Sequence, residues 1–267
     1  MSSPVLPNST SSQQQNALAA RLRALHKPGD PLVLCNVYDA ATAALVAAHP
    51  AAKAIATASY AIAATHGVED DDMTLEQNLA SLTAIAKVAQ GADLPLTVDV
   101  QDGYEDVGAT VRAIISLGAV GCNIEDLDNA TGKLRTVDDA VARLRVALAA
   151  AHEAGVPEFV LNARTDTLGY NGSIEDAIAR GGAFLEAGAT TVFVWGPNGR
   201  GVRTEEVHKL CSAFEGRLNV KLCMGDGFLT VPELKEIGVA RISVGPELYR
   251  AAMRAYKNGV DQLLGAV

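Results

Sequence analysis

From residue 16 onward two patterns alternate along the chain. Short apolar segments (PLVLCNV, KAIATAS, LPLTVDV, AVGCNIE, EFVLNAR, TTVFVWG, LNVKLCM and ARISVG) are separated by longer stretches with apolar residues at helical spacing. The short segments read as near-continuous apolar runs with little alternation, the pattern of strands covered on both faces. The longer stretches carry helix punctuation. Thr74 with Gln77 three residues on makes a capping box, and Thr136 and Ser173 open patterns that stop at Gly155 and Gly188. In EAGVPEFV, EAGATTVF and IGVARISV a helix-ending glycine leads directly into the next strand. Eight strands alternating with helices over about 250 residues predict an α/β fold, a single-domain (β/α)8 TIM barrel. A doubly wound open sheet is the competing architecture, but no G-x-G-x-x-G follows the first strand. The barrel is expected over 16–267, opening with a helix over 16–26. Residues 1–15, biased to Ser, Gln and Asn, read as a disordered tail or a docking arm.

Composition narrows the class of partner. Hydrophobic residues are 49% of the chain and aromatics 4%, so the core is aliphatic. With 31 acidic against 22 basic residues the net charge is −9. Such a surface repels phosphate backbones and anionic lipid, which argues against nucleic acid and membrane as partners. No apolar run approaches the roughly 20 residues of a membrane span. Cys35, Cys122, Cys211 and Cys223 lie far apart without metal-ligand spacing, as for reduced thiols. The start of the chain lacks the pattern of a secretory signal, and a cytoplasmic location is expected.

In a barrel of this kind, catalytic groups sit at the C-terminal strand ends and in the loops after them. Those positions are rich in polar residues: Asn36 to Asp39, Ser59 and Tyr60, a loop from His66 to Asp72, Asp99 to Tyr104, Asn123 to Asp126, and Asn162 to Asp166. Acidic groups thus gather at one rim, facing a single arginine, Arg164, inside an otherwise apolar strand. Hard carboxylate oxygens without clustered His or Cys suit Mg²⁺ or Mn²⁺ better than zinc. Arg164 would clamp the carboxylate of a small-molecule substrate. The alternative is a structural ion-pair network between Arg164 and Asp99 or Glu125.

The segments NVYDAATAALV, GVEDDD, VDVQDGY, NIEDLD and NART, in this order, resemble the isocitrate lyase/phosphoenolpyruvate mutase superfamily, and most of all its short phosphoenolpyruvate-mutase-like branch. The likeness runs from about residue 31 to 267. It implies a (β/α)8 barrel, commonly a homodimer or homotetramer. It also implies Mg²⁺ and C–C or P–C bond chemistry on a 2-oxo or 2-hydroxy carboxylate beside an enolate-like intermediate. By the same resemblance Asp99 binds the metal directly, Glu125 reaches it, often through water, and Asp70 is the loop aspartate serving as nucleophile or metal support. Arg164 would hold substrate oxygens, with Asn123 beside it. Ser59 and Tyr60 lie in the loop whose amides cradle a substrate carboxylate, although Ala58 stands where the family usually has serine.

Departures from the family pattern leave the reaction open. Many members carry D-x-D where this chain has Asp99-Val100-Gln101, with Gln101 expected on the face of Asp99. The lyases' Cys/His loop is replaced by residues 127–134, which offer Asn129 and Lys133 and neither Cys nor His. Cys122 reads as a buried small hydrophobe. Proton-transfer candidates are Asp70, His66 and Tyr104, with His66 alternatively a solvated loop residue and Tyr104 a packing one. Trp195, the sole tryptophan, either lines the pocket or packs in the core. Gly225-Asp226-Gly227 gives a weak phosphate-site signal. The leading expectation is a Mg²⁺-dependent C–C lyase. The alternatives are a phosphonopyruvate hydrolase or mutase, and a catalytically silent metabolite-binding protein.

Overall fold

The computed structural model describes residues 9–197, 200–225 and 227–266. Its strands are β1 (Leu32–Leu34), β2 (Asn36–Val37), β3 (Ile55–Thr57), β4 (Leu96–Asp99), β5 (Gly121–Glu125), β6 (Leu127–Asp128), β7 (Lys133–Leu134), β8 (Val160–Thr165), β9 (Thr191–Val194), β10 (Leu218–Lys221) and β11 (Arg241–Ser243). The helices are α1 (Ser9–Ala24), α2 (Ala40–Ala47), α3 (Ser59–Thr65), α4 (Leu75–Gly91), α5 (Val107–Ser116), α6 (Val137–Glu153), α7 (Ile174–Glu186), α8 (Thr204–Ala213), α9 (Val231–Ile237) and α10 (Glu247–Leu264). All strands but β6 and β7 form one parallel sheet in the order β1-β11-β10-β9-β8-β5-β4-β3-β2. β1 and β2 are two halves of the first strand, parted at Cys35. The lower half pairs with β11 and the upper with β3, so the chain itself closes a ring of eight. Asn36 spans that seam: its Oδ1 accepts from the amides of Val244 and Gly245, and its Nδ2 donates to the Thr57 carbonyl. The (β/α)8 barrel is therefore as expected, and the capping boxes at Thr74 and Ser173 and the cap at Thr136 are present.

The register sets which side chains enter the barrel. The row Asn36, Ala56, Thr97, Gly121, Val160, continued at the observed offsets, leaves the first strand at 36 and returns to it at 28. That slip of eight residues is the shear of a TIM barrel, whose interior is stacked in layers of four from alternate strands. The upper layer is Ala58, Glu125, Trp195 and Gly245. Below it come Asn36, Asp99, Arg164 and Lys221, then Ala56, Asn123, Phe193 and Ser243, then Leu34, Thr97, Asn162 and Asn219. Thr191 and Arg241 belong to the layer beneath.

TIM-barrel interiors are usually packed with branched aliphatics, but this one is largely polar. The strands thus alternate after all, polar inward and apolar outward against the helices, where the sequence reads as near-continuous apolar runs. Hydrogen bonds hold the polar lumen: Asn162 Nδ2 donates to Asn123 Oδ1 (2.9 Å) and Thr191 Oγ1 to Asn162 Oδ1 (2.6 Å).

The expected tail also needs correction. α1 starts at Ser9, and residues 1–8 lie outside the described residues. Ala19 and Leu22 of α1 are fully buried. Gln15 Nε2 donates to the carbonyls of Ile115 (2.8 Å) and Ala119 (2.9 Å), and Asn16 Oδ1 accepts from the Glu158 amide. Polar anchoring to distant backbone, invisible in local composition, orders this segment. Among the described residues no helix is long and apolar enough to cross a membrane.

Candidate active site

At the C-terminal strand ends the lumen opens into a cavity of about 330 Å³. Its lining includes Ser59, Tyr60, Asp70, Asp99, Asn123, Glu125, Arg164, Asp166, Trp195, Lys221 and Arg241, and neither His nor Cys among the described residues. Asp99 ends β4 and is held from three sides. Its Oδ1 accepts from the Gln101 amide (3.3 Å) and Asn123 Nδ2 (3.2 Å), and its Oδ2 from the Ser59 amide (3.2 Å). Ser59 opens α3, and the N-cap Ala58 supplies no side-chain cap, which leaves that helix start with donors for an anion.

Opposite stands Arg164 on β8. Its Nη1 meets Glu125 Oε2 at 2.7 Å and its Nη2 meets Asp166 Oδ1 at 2.6 Å. The guanidinium lies 5.2 Å from the Trp195 ring centre and 5.7 Å from that of Phe193. Two carboxylates and two aromatic faces thus fix its orientation. Burial pushes Glu125 well above the usual carboxylate range, opposed by Arg164 and reinforced by Asp166, Asp99 and Asp70. Asp166 is raised in the same way by burial, and its Oδ2 is buried without a partner. Asp126 stands behind this group, accepting from the Asp166 amide, Thr165 Oγ1 and Arg180.

Asp70 sits in a short turn, Asp70–Asp72, leaning over the cavity. Burial first, then repulsion by Asp99, pushes its carboxyl up to about 6. Gln101 Nε2 donates to both its backbone oxygen and its Oδ1. Gln101 therefore does not share the face of Asp99. Its φ of 54° takes the backbone off the strand, and its side chain ties down the Asp70 loop.

The structure brings Ser59, Tyr60, Asp70, Asp99, Asn123, Glu125, Arg164 and Trp195 together around one cavity. His66 and Tyr104 are outside its lining. The His66 ring bonds Ser81 Oγ on the outer surface, because α3 ends there and turns it away. Tyr104, at φ 56°, is folded behind Asp99, where its hydroxyl accepts from Asn78 Nδ2. Neither is placed for proton transfer. Cys122 is fully buried and its thiol is pushed up by burial. Residues 127–134 form the β6–β7 hairpin with Lys133 exposed. Asp226 of the glycine-flanked triplet lies outside the described residues. Sequence reasoning missed Lys221 and Arg241, and it placed Asp166 at the rim without giving it a role. The signal was parity: N-V-K in β10 and R-I-S in β11 alternate polar and apolar exactly as N-A-R does in β8, and all three send their polar residues inward.

Asp99 and Glu125 could hold a divalent cation. Both are hard oxygen donors; burial first, and then the neighbouring carboxylates, raise Glu125 and Asp70, and a cation offsets the repulsion part of this. Among the described residues no three His, Cys, Asp or Glu side chains form a ready-made cage. Two carboxylates completed by water are a set that suits Mg²⁺ or Mn²⁺.

Comparison with known proteins agrees with this geometry. The family model for phosphoenolpyruvate phosphomutase matches residues 22–264. An uncharacterized protein of Mycobacterium tuberculosis is 31% identical over 235 residues, covering 86% of this chain and 84% of its own. Oxaloacetate decarboxylase of Paraburkholderia xenovorans is 30% identical over 190 residues, 67% of this chain and 62% of that one. Among solved structures, 2,3-dimethylmalate lyase superposes with a TM-score of 0.80 at 26% identity, covering 92% of this chain and 87% of its own. A Burkholderia cenocepacia protein with the provisional description phosphonomutase superposes at 0.83 with 37% identity, covering 93% and 99%. The chain belongs to the phosphoenolpyruvate mutase family, within the isocitrate lyase/phosphoenolpyruvate mutase superfamily of lyases and mutases.

Proposed function

We propose that the protein is a Mg²⁺-dependent carbon–carbon lyase acting on a small 2-oxo or 2-hydroxy carboxylate through an enolate. The observation that carries this reading is the convergence on one cavity of Asp99, Glu125, the Arg164 guanidinium and the uncapped start of α3. Asp99, with Glu125 behind it, would hold Mg²⁺ (or Mn²⁺), which would supply a Lewis acid for the substrate's oxygens. Arg164, clamped by Glu125 and Asp166, keeps a fixed positive charge beside the developing enolate, so nothing reorganises as charge moves. The Tyr60 amide at the start of α3, with the second Nδ2 hydrogen of Asn123, orients the substrate carboxylate, while the Ser59 amide holds Asp99. Asp70 is the proton carrier: its carboxyl leans over the cavity from the turn that Gln101 Nε2 ties down. Trp195 supplies an apolar wall for the substrate's carbon chain. The relatives named above include a lyase and a decarboxylase, which supports the class of reaction.

The protein acts as a homo-oligomer, a dimer or tetramer, in the cytoplasm. Its cysteines are all free, and α10 leaves Tyr256, Leu263 and Leu264 exposed. Light scattering on the purified protein should give a dimer or tetramer, and a monomer contradicts this assignment.

The activity is tested by incubating a panel of 2-hydroxy and 2-oxo diacids with Mg²⁺ and measuring pyruvate or glyoxylate release. Release is expected, with loss of at least about 1,000-fold in Asp99→Ala or with chelator. Phosphate release from phosphonopyruvate instead would make it a P–C enzyme. Metal-dependent oxalate binding without any turnover would make it a silent member.

A further inference from the structure

The floor of the cavity holds a charge that the chemistry above does not use. Arg241 opens β11 with its side chain inside the barrel, 3% exposed. None of the ion pairs among the described residues includes it. Its Nε is buried without a partner, and the neighbour of Nη1, at 3.5 Å, is His26 Nε2. That ring is neutral, since burial and Arg241 itself depress His26 to about 3. Burial lowers Arg241 to about 10, which leaves it cationic at neutral pH. A buried guanidinium bonded to a neutral ring, with no carboxylate in ion-pair contact, is costly unless an anion reaches it.

Two other polar atoms on this floor lack partners. Thr97 Oγ1 and Asn219 Oδ1 are buried and unbonded, both residues line the same cavity, and Asn219 is the register partner of Arg241. A hydroxyl can turn to donate, and a side-chain amide can flip to present its NH₂. By the layer arithmetic the Arg241 backbone lies three levels below Asp99 and Arg164, about 8 Å along the barrel axis. Its side chain borders the cavity and senses the charge of Asp99, while Nη1 lies against His26 beneath the strands.

We propose that Arg241, Thr97 and Asn219 form a subsite at the barrel floor that binds the second carboxylate of a dicarboxylic substrate whose 2-oxo or 2-hydroxy end lies at Asp99. The placement of that end rests on the function proposed above. The subsite makes the protein selective for diacids over the corresponding monoacids.

Malate and lactate test this directly, because they share a 2-hydroxy carboxylate and differ by one carboxylate. Binding of each is measured by calorimetry with Mg²⁺ in the wild type, Arg241→Gln and Thr97→Val, with thermal unfolding to verify folding. The wild type should bind malate at least 30-fold more tightly than lactate. Arg241→Gln should bring that ratio to within threefold of unity without changing lactate affinity. Thr97→Val, nearly isosteric and so expected to fold, should cut the ratio about fivefold and serves alone should Arg241→Gln be unfolded. No diacid preference in the wild type, an unchanged ratio in the variants, or equal loss of both ligands overturns the subsite. A diacid preference that depends on Arg241 but not on Mg²⁺ or Asp99 leaves the subsite standing and removes the metal reading instead.

Discussion

At His26 the ring Nδ1 donates to the Leu22 carbonyl (2.8 Å) and Nε2 accepts from Arg241 Nη1 (3.5 Å). Its folded-state value falls from 6.5 to about 3, so the unfolded chain takes up a proton first as pH drops. This contribution to stability is complete above about 6.5 and is lost toward 3, with a slope of about 1.4 kcal/mol per pH unit. His26→Gln should remove that slope from urea unfolding measured at stepped pH. Asp70 behaves oppositely. Its carboxyl rises from 3.8 to about 6, so the folded protein keeps a proton that the unfolded chain has lost, and stability falls as pH rises through that window. Asp70→Asn should therefore stabilise the metal-free protein at pH 7.5 by about 1–3 kcal/mol while lowering turnover at least about 100-fold. Chemical denaturation in chelator and a turnover assay measure the two effects separately. The acidic residues of this site were legible because they stand at strand ends, where the barrel rule says to look. Lys221 and Arg241 were not, because the alternation that marks them, N-V-K and R-I-S, is only three residues long and is masked by the apolar residues around it.

Elements differ in how locally they are specified. Thr74, Thr136 and Ser173 announce their helices because a cap acts within three residues. The start of α1 is set instead by Gln15, which bonds backbone about 100 residues away. Gln15→Ala should lower unfolding free energy by about 1–2 kcal/mol, measured by denaturant titration, and no change would mean that α1 is held by Ala19 and Leu22 alone. Gly169 follows β8 in the turn Thr167–Gly169, and a Cβ there would come within 2.6 Å of Trp195 Cζ3. Gly169→Ala should push Trp195 off the Arg164 guanidinium at a cost of about 1–3 kcal/mol. KM should rise about tenfold, since the clamp on Arg164 loosens, and unaltered KM would place Trp195 outside the substrate's reach.

Across the whole molecule, the closed ring of strands and the polar layers within it decide what the protein can do. An aliphatic core packs outside the barrel, between strands and helices, while the lumen carries the charges. Part of the net charge of −9 is thereby concentrated at one mouth, where Asp70, Asp99, Glu125 and Asp166 crowd Arg164. Burial, reinforced by that crowding, raises Asp70 and Glu125 together, and a divalent cation turns the same acidic mouth into one that accepts an anionic substrate. The barrel was legible from the alternation of strands and helices, and the rim chemistry from residue types. The polar floor was hidden by the short length of the strands. The central claim is that Asp99 anchors a magnesium site to which a substrate carboxylate binds. Calorimetric titration of oxalate at saturating Mg²⁺ tests it most directly: the wild type should bind, and binding should vanish with chelator or in Asp99→Ala. Oxalate binding of equal strength in the wild type and Asp99→Ala would contradict it.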